Sequence, residues 1–347
     1  MWVESFSLDL DSPLDTARGQ LTQRRGFLVG GDAADIAGIG EATPLPGWTE
    51  SFDDCRDALA ATESATPETA PDPVTTPAAA HAVELARLDG RGRRQATPLA
   101  AILRQETFGV DAGSIPQQVP VNATIGDGDS ASTVAAAEAA ITNGYECLKL
   151  KVGARSLDAD IARVRAVREA VGDAITLRVD ANGAWAVPTA EQAIDAFAAL
   201  AVDYVEQPLP ADDLDDHRKL RGRGVDIALD ESLASASVSA VLDADAADVV
   251  ILKPMALGGP LQATQAAAAA RDAGVDPVVT TTIDAVVART AAVHVAAAIP
   301  AVDPCGLATG SLLADDLTAD PVTLAAGTAS VPTGGGLCGD GFASLHR

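Results

Sequence analysis

Cys147-Leu148-Lys149-Leu150-Lys151-Val152 is an apolar run interrupted by lysine at alternate positions. A period of two is a strand signal, and it sends both lysines to one face. Four more short apolar runs follow, each ending in ionisable residues: Arg178-Val179-Asp180-Ala181-Asn182, Val205-Glu206-Gln207-Pro208, Leu229-Asp230-Glu231-Ser232 and Ile251-Leu252-Lys253-Pro254. Alanine-rich stretches of helical pattern lie between them. Strand and helix therefore alternate, as in βα units around a parallel sheet.

Working outward, the same rhythm predicts strands at Val119–Ile125, Cys147–Val152, Thr176–Ala181, Tyr204–Gln207, Ile227–Asp230, Val249–Lys253, Val278–Thr282 and Cys305–Ala308. Helices are expected at Ser130–Asn143, Asp158–Val171, Thr189–Ala199 and Pro260–Ala273, with Ser130 and Asp158 as N-caps and Gly144, Gly172 and Gly274 as stops. Seven or eight such units suit a TIM-type α/β barrel. A doubly wound open sheet has the same alternation, but no GxGxxG follows a first strand. Upstream, Val3–Leu10, Gly26–Val29 and Ile36–Ala42 read as antiparallel strands, Ala61–Thr76 as a surface loop, and Pro77–Leu88 and Pro98–Arg104 as helices. The expected division is an α+β domain over 1–115, a barrel over 116–330 and a C-terminal segment, 331–347, returning to the first domain.

The composition excludes several roles. Nearly half of the 347 residues are hydrophobic, enough for a full core, yet no apolar run approaches the ~20 residues of a membrane span. Met1 to Ser12 lacks a basic region before an apolar one, so no signal peptide is read and a cytoplasmic location is expected. Cys55, Cys147, Cys305 and Cys338 are scattered without CxxC spacing, which fits reduced thiols. The net charge of −25 is spread along the chain and repels nucleic acid and anionic membranes. Such a surface suits high salt, where counter-ions screen self-repulsion. Thermal unfolding is expected at a higher temperature in molar KCl than in dilute buffer; a melting temperature indifferent to KCl refutes this.

Only four lysines occur, Lys149, Lys151, Lys219 and Lys253, against 20 arginines among the 24 basic residues. Three of the four sit in two short hydrophobic segments. Lysine can release a proton when its pKa is lowered, and arginine cannot. Chemistry explains these three better than solubility. Asp180, Glu206 and Asp230 lie 26 and 24 residues apart, about one βα unit each. Adjacent barrel strands would then present them side by side at the C-terminal mouth. Three close carboxylates repel unless a cation joins them. Oxygen-only ligands without His or Cys favour Mg²⁺ over zinc. Two neighbouring ammoniums should lower each other's pKa, making Lys151 a general base, with Lys253 across the pocket. Metal plus lysine suits removal of a proton beside a carboxylate, with an enediolate held by the cation. Singly, each residue is explained as a helix cap or a solvated rim charge.

Together, Lys149-x-Lys151, Asp180-x-Asn182, Glu206-Gln207-Pro208, Asp230-Glu231-Ser232 and Leu252-Lys253-Pro254 resemble the enolase superfamily, in its muconate-lactonising subgroup. The resemblance covers nearly the whole chain. It implies a modified (β/α)7β barrel with an N-terminal α+β capping domain, and Mg²⁺ with Mn²⁺ as a substitute. It also implies Asp180, Glu206 and Asp230 as ligands, and Lys151 and Lys253 as the acid/base pair. Lys149, Asn182 and Glu231 would support them. Gly38-Ile39-Gly40-Glu41-Ala42-Thr43-Pro44-Leu45-Pro46-Gly47-Trp48-Thr49-Glu50 resembles the capping loop of o-succinylbenzoate synthases, and 16–26 their other mobile loop. A Gly- and Pro-punctuated loop carrying Trp48 can close a barrel mouth against water, and Arg24 or Arg25 can meet a substrate carboxylate.

That likeness implies dehydration of a cyclohexadiene precursor to 2-succinylbenzoate in menaquinone synthesis. The seventh strand, Val279-Thr280-Thr281-Thr282-Ile283-Asp284-Ala285, departs from the serines and Glu-Ser more usual there. Thr281 is kept as a substrate contact, and Gly306 as a backbone donor to the substrate carboxylate. N-acylamino-acid racemases and muconate cycloisomerases share the same five residues and stay open as alternatives, as does a barrel that binds a metal or metabolite without turnover. The expected partner is a small carboxylate-bearing molecule, and homo-oligomerisation is left open. His294 lies in an apolar helical run and reads as core.

Overall fold

The computed structural model describes residues 1–16, 19–31, 38–63, 70–109 and 114–346. An antiparallel sheet opens the chain: β1 (Trp2–Thr16) pairs with β2 (Gly19–Gly30), and β2 with β3 (Ile39–Ala42). Both hairpin strands are longer than the sequence predicts, while 36 and 37 fall outside the described residues. Helix α1 (Phe52–Glu63) precedes the expected surface loop and takes in its first three positions, 61–63, while positions 64–69 also lie outside the described residues. α2 (Pro77–Gln95) and α3 (Leu99–Phe108) complete this domain. Gly38 and Gly40 serve close packing: a Cβ on Gly40 would lie 1.9 Å from the Ala82 carbonyl oxygen of α2. The Gly-x-Gly spacing therefore seats β3 on a helix, and the loop proper begins at Thr43.

The predicted Val119–Ile125 strand divides in two. β4 (Gln118–Pro120) pairs antiparallel with a later strand, whereas β5 (Ala123–Ile125) starts the barrel. Seven strand–helix units follow: β5 with α4 (Ser130–Thr142), β6 (Cys147–Lys151) with α5 (Leu157–Val171), β7 (Thr176–Asp180) with α6 (Val187–Ala198), β8 (Val202–Glu206) with α7 (Leu214–Leu220), β9 (Asp226–Leu229) with α8 (Val238–Asp243), β10 (Val249–Leu252) with α9 (Pro260–Asp272), and β11 (Asp276–Val279) with α10 (Val286–Ala298). They pair in parallel in sequence order. The sheet closes through single parallel bridges of Thr280 to Gly306 and Val121 to Cys305, so 305–306 is the eighth stave. The result is a modified TIM barrel, (β/α)7β, with an N-terminal α+β capping domain. The hairpin β12 (Leu324–Ala325) and β13 (Thr328–Ser330) packs on β4, and the chain then returns to α2 and α3, where the Gly336 carbonyl accepts from the Leu99 N–H at 2.8 Å and Asp89 accepts from the Leu337 N–H at 2.8 Å.

Asp129, not Ser130, caps α4 by accepting from the Ser132 N–H, and α5 starts after Ser156, two residues before the predicted Asp158. Gly144, Gly172 and Gly274 follow their helices at φ of 86°, 76° and 75°, as stop signals require. Tyr204, Ala228, Val249, Ile251 and Val278 fill the barrel interior, while the main core lies between strands and helices. Every residue of α10 is buried, between barrel and capping domain. Its His294 accepts from the Ala100 N–H and lies 2.6 Å from the Leu337 carbonyl; burial pushes it down to about 4, so it is a neutral core histidine.

Candidate active site

Parallel register sets the site. Lys151 pairs with Asp180, and Asp180 with Glu206, so three adjacent strands bring these residues abreast. Asp230 and Lys253 each lie one residue beyond their strands, and their side chains meet, Lys253 Nζ donating to both Asp230 oxygens at 2.7 Å. Lys149 Nζ donates to both Glu206 oxygens at 2.9 and 3.0 Å and lies 3.3 Å from Asp180 Oδ2. Lys151 Nζ donates to Asp180 Oδ2 at 2.6 Å and to Asn182 Oδ1 at 2.9 Å. Asn182 Nδ2 in turn donates to Glu231 Oε1 at 2.8 Å. All eight side chains therefore share one mouth. Around the eight-membered ring, β6 and β10 are four staves apart in either direction, so Lys151 and Lys253 stand on opposite walls. Lys151 is the most open of the site lysines, its side chain 35% exposed against 14% for Lys149 and 9% for Lys253.

Trp48 joins them from the capping domain. Lys253 Nζ lies 3.1 Å from the centre of its ring, within cation–π range. The loop is pinned internally, Trp48 and Thr49 N–H both donating to the Leu45 carbonyl, and Glu50 anchors it by accepting from Ala78 and Ala79 N–H at the start of α2.

Two expected contacts are corrected. The Arg25 guanidinium lies over Phe52, 3.9 Å from the ring centre, because strand parity turns it away from the face of Arg24. It is Arg24 that reaches the strand-end loops, and it is buried and spent on carbonyls. The Gly306 N–H is likewise spent, on the Val279 carbonyl at 2.9 Å, because that bond closes the barrel. Thr281 does stand at the seventh strand end, its hydroxyl 2.9 Å from that of Thr309. Positions 17 and 18 of the expected second loop lie outside the described residues.

One positioning residue had no expected role. Gln207, fully buried at φ 41°, accepts from the Asp230 and Ser232 N–H groups at 3.1 Å and donates to Ser232 Oγ at 2.9 Å. It fixes the turn that aims Asp230. Its signal was a neutral amide among strand ends that otherwise carry charge.

The electrostatics bear on a cation. Asp180, Glu206 and Asp230 are 1%, 1% and 6% exposed. Burial works against charge on Asp180, but Lys149 and Lys151 outweigh it and hold the carboxyl below the usual range. Glu206 is pushed up, by burial first and then by Asp180, although Lys149 lies against it. Burial also opposes the Lys149 ammonium, yet Glu206 and Asp180 outweigh this and raise it well above its ordinary value. The expectation that neighbouring ammoniums depress one another therefore fails at Lys149. Among the described residues no three acidic, His or Cys side chains gather closely enough to share an ion as they stand, because the lysines bridge the carboxylates. The donor set nevertheless fits a hard divalent cation: three buried carboxylates, oxygen only, with repulsion still raising Glu206.

The Enolase C-terminal domain-like family matches residues 132–339, more than half of the chain. The chain belongs to the enolase superfamily. It falls in the muconate-lactonising subgroup. It is 39% identical over 209 residues to an o-succinylbenzoate synthase of Thermobifida fusca (strain YX), a match covering 59% of this chain and 63% of that one, so less than two thirds of the relative is spanned. Among solved structures, the N-succinyl Arg/Lys racemase from Bacillus cereus ATCC 14579 superposes with a TM-score of 0.82 at 25% identity, over 96% of this chain and 93% of that one. A dipeptide epimerase from Methylococcus capsulatus, complexed with Mg and the dipeptide L-Arg-D-Lys, gives a TM-score of 0.81 at 25% identity, over 97% and 98%. Enolase-superfamily neighbours thus hold Mg and small substrates. Among the described residues of this member, no helix is long and apolar enough to cross a membrane.

Proposed function

We propose that this barrel catalyses the dehydration of 2-succinyl-6-hydroxy-2,4-cyclohexadiene-1-carboxylate to 2-succinylbenzoate, a carbon–oxygen lyase step of menaquinone synthesis. The observation that carries the reading is the pair of lysines on opposite walls above three buried carboxylates. Asp180, Glu206 and Asp230 would hold Mg²⁺, with Mn²⁺ as a substitute. The bound cation supplies a Lewis acid for the substrate carboxylate.

Lys151, the most open of the site lysines, takes the proton α to that carboxylate and returns it to the departing hydroxyl, so that water leaves and the ring becomes aromatic. Asn182 holds its ammonium in place between these steps. Lys253 stays across the pocket as a fixed positive charge facing the developing enediolate. The Trp48 ring face is an electrostatic partner for that charge and excludes water from it. The capping-loop sequence and the 39% identity to a synthase favour this substrate.

A second reading has its own support. A racemase needs a base on each face of the substrate carbon, and the opposed lysines suit that equally, as does the likeness to the B. cereus racemase. Purified protein in high KCl with Mg²⁺, offered the cyclohexadiene precursor and separately N-succinyl amino acids, decides between them. Dehydration with little racemisation is expected. Racemisation without dehydration rejects the substrate and keeps the site; turnover of neither leaves a non-catalytic binding barrel.

A further inference from the structure

We propose that Arg24 and Glu41 of the capping domain are positioning residues that hold the seventh strand-end turn, 280–285, in a strained shape forming the substrate side of the pocket; the last clause rests on the reading above. Ile283 is the centre of that turn, at φ +61°. A β-branched residue there is a backbone outlier that persists only where its surroundings impose it.

The imposing contacts come largely from the other domain. Arg24 Nε donates to the Ile283 carbonyl at 3.0 Å. Its remaining donors go to the Thr43 and Pro44 carbonyls, where the Trp48 loop begins. Glu41, fully buried on β3, accepts from the Ala285 N–H through Oε1 and from the Ala288 N–H through Oε2, both at 2.8 Å. It thereby caps α10 from across the interface, where the helix dipole favours an anion. Within the turn, the Thr281 hydroxyl accepts from the Ile283 N–H at 3.3 Å, and Thr282 donates its hydroxyl to Asp284. Residues 283, 285 and 288 are therefore held by two capping-domain side chains, on the stave next to the one that carries Lys253. A single guanidinium ties the turn to the loop whose Trp48 covers that lysine.

Burial first, and Asp284 second, push Glu41 up to about 7, so the cluster accepts an electrostatic cost in order to keep this carboxylate there. α9 has a similar arrangement, with Glu84 of α2 accepting from the Leu261 N–H at 2.8 Å. Two consecutive barrel helices thus receive an anionic cap from the other domain, which on α10 adds to Asp316 accepting from the Val286 N–H at 2.9 Å.

Amide hydrogen exchange and steady-state kinetics on the full chain test the proposal. Glu41→Gln, which cannot accept both N–H groups, should lower protection at Ala285 and Ala288 about tenfold or more, with the β7 and β8 amides unchanged. KM for the turned-over substrate should rise by about the same factor while kcat moves less than twofold and Mg²⁺ affinity stays put. In an Ile283→Gly background, where positive φ is free, the KM penalty of Glu41→Gln should shrink. Unchanged protection at 285 and 288, or an equal penalty in both backgrounds, overturns the proposal. Exchange needs no substrate, so it decides this point even if the proposed reaction is wrong. Should Glu41→Gln fail to fold, Ile283→Gly alone serves: stability equal to or above that of the parent is expected, and a large loss overturns the strain.

Discussion

Lys151→Ala is expected to lower kcat by about 10³- to 10⁴-fold while the protein keeps its fold, the upper range for losing a positioned acid/base group. The geometry explains why this variant should be clean. Lys151 is the least buried of the site lysines, and Asp180 retains Lys149 as an ionic partner at 3.3 Å. No buried carboxylate is left unpaired, so destabilisation should be small. Lys253→Ala should be as damaging to turnover but less innocent for folding, since both oxygens of Asp230 lose their donor. Stripping one partner from a buried pair costs about 3–5 kcal/mol unless another cation replaces it. The Lys253 comparison therefore belongs in saturating Mg²⁺, with circular dichroism alongside rates. Turnover within tenfold of the parent for either variant removes that lysine from the chemistry.

Removal of divalent cations should abolish activity altogether, and Mg²⁺ or Mn²⁺ should restore it. A cation that binds only the native state also stabilises it, by about 2.7 kcal/mol at a hundredfold excess over Kd. Chelation should accordingly lower the melting temperature, by less than in a site with no substitute charge, because Lys149, Lys151 and Lys253 already neutralise the three carboxylates. Glu206→Gln should sharply reduce both the activity and the thermal shift with Mg²⁺. Undiminished turnover after exhaustive chelation is incompatible with the proposed chemistry.

The barrel was legible because its strands are short, apolar and punctuated by charge, and because an arginine-rich chain that keeps lysine at Lys149, Lys151 and Lys253 signals chemistry. Other features depend on long-range packing. Val119–Ile125 is one apolar segment, yet β4 answers to β13 and β5 to β6, partners about 200 and 25 residues away. Helix α1 was hidden because its buried positions, Cys55 and Leu59, are diluted among acidic, alanine and threonine residues. Arg24 and Arg25 are chemically identical neighbours. Which of them faces the barrel is a matter of sheet parity, and both faces of β2 mix polar and apolar residues, so no alternation reveals it. Gly306 was misjudged for a related reason: a backbone donor at a strand end is available only if the ring does not need it.

The ring's closure has a consequence for synthesis of the chain. Val121 and Cys305 meet only when nearly all of the barrel has been made, and two isolated bridges complete the circle. Until then β5 and β11 are open edges, with unpaired backbone groups that could recruit other strands. Closure between ends so distant in sequence is entropically slow. If the strands pair in the order of their synthesis, the chain passes through a curled, unsealed sheet before closure, and crowding among emerging copies would act on it most at that stage.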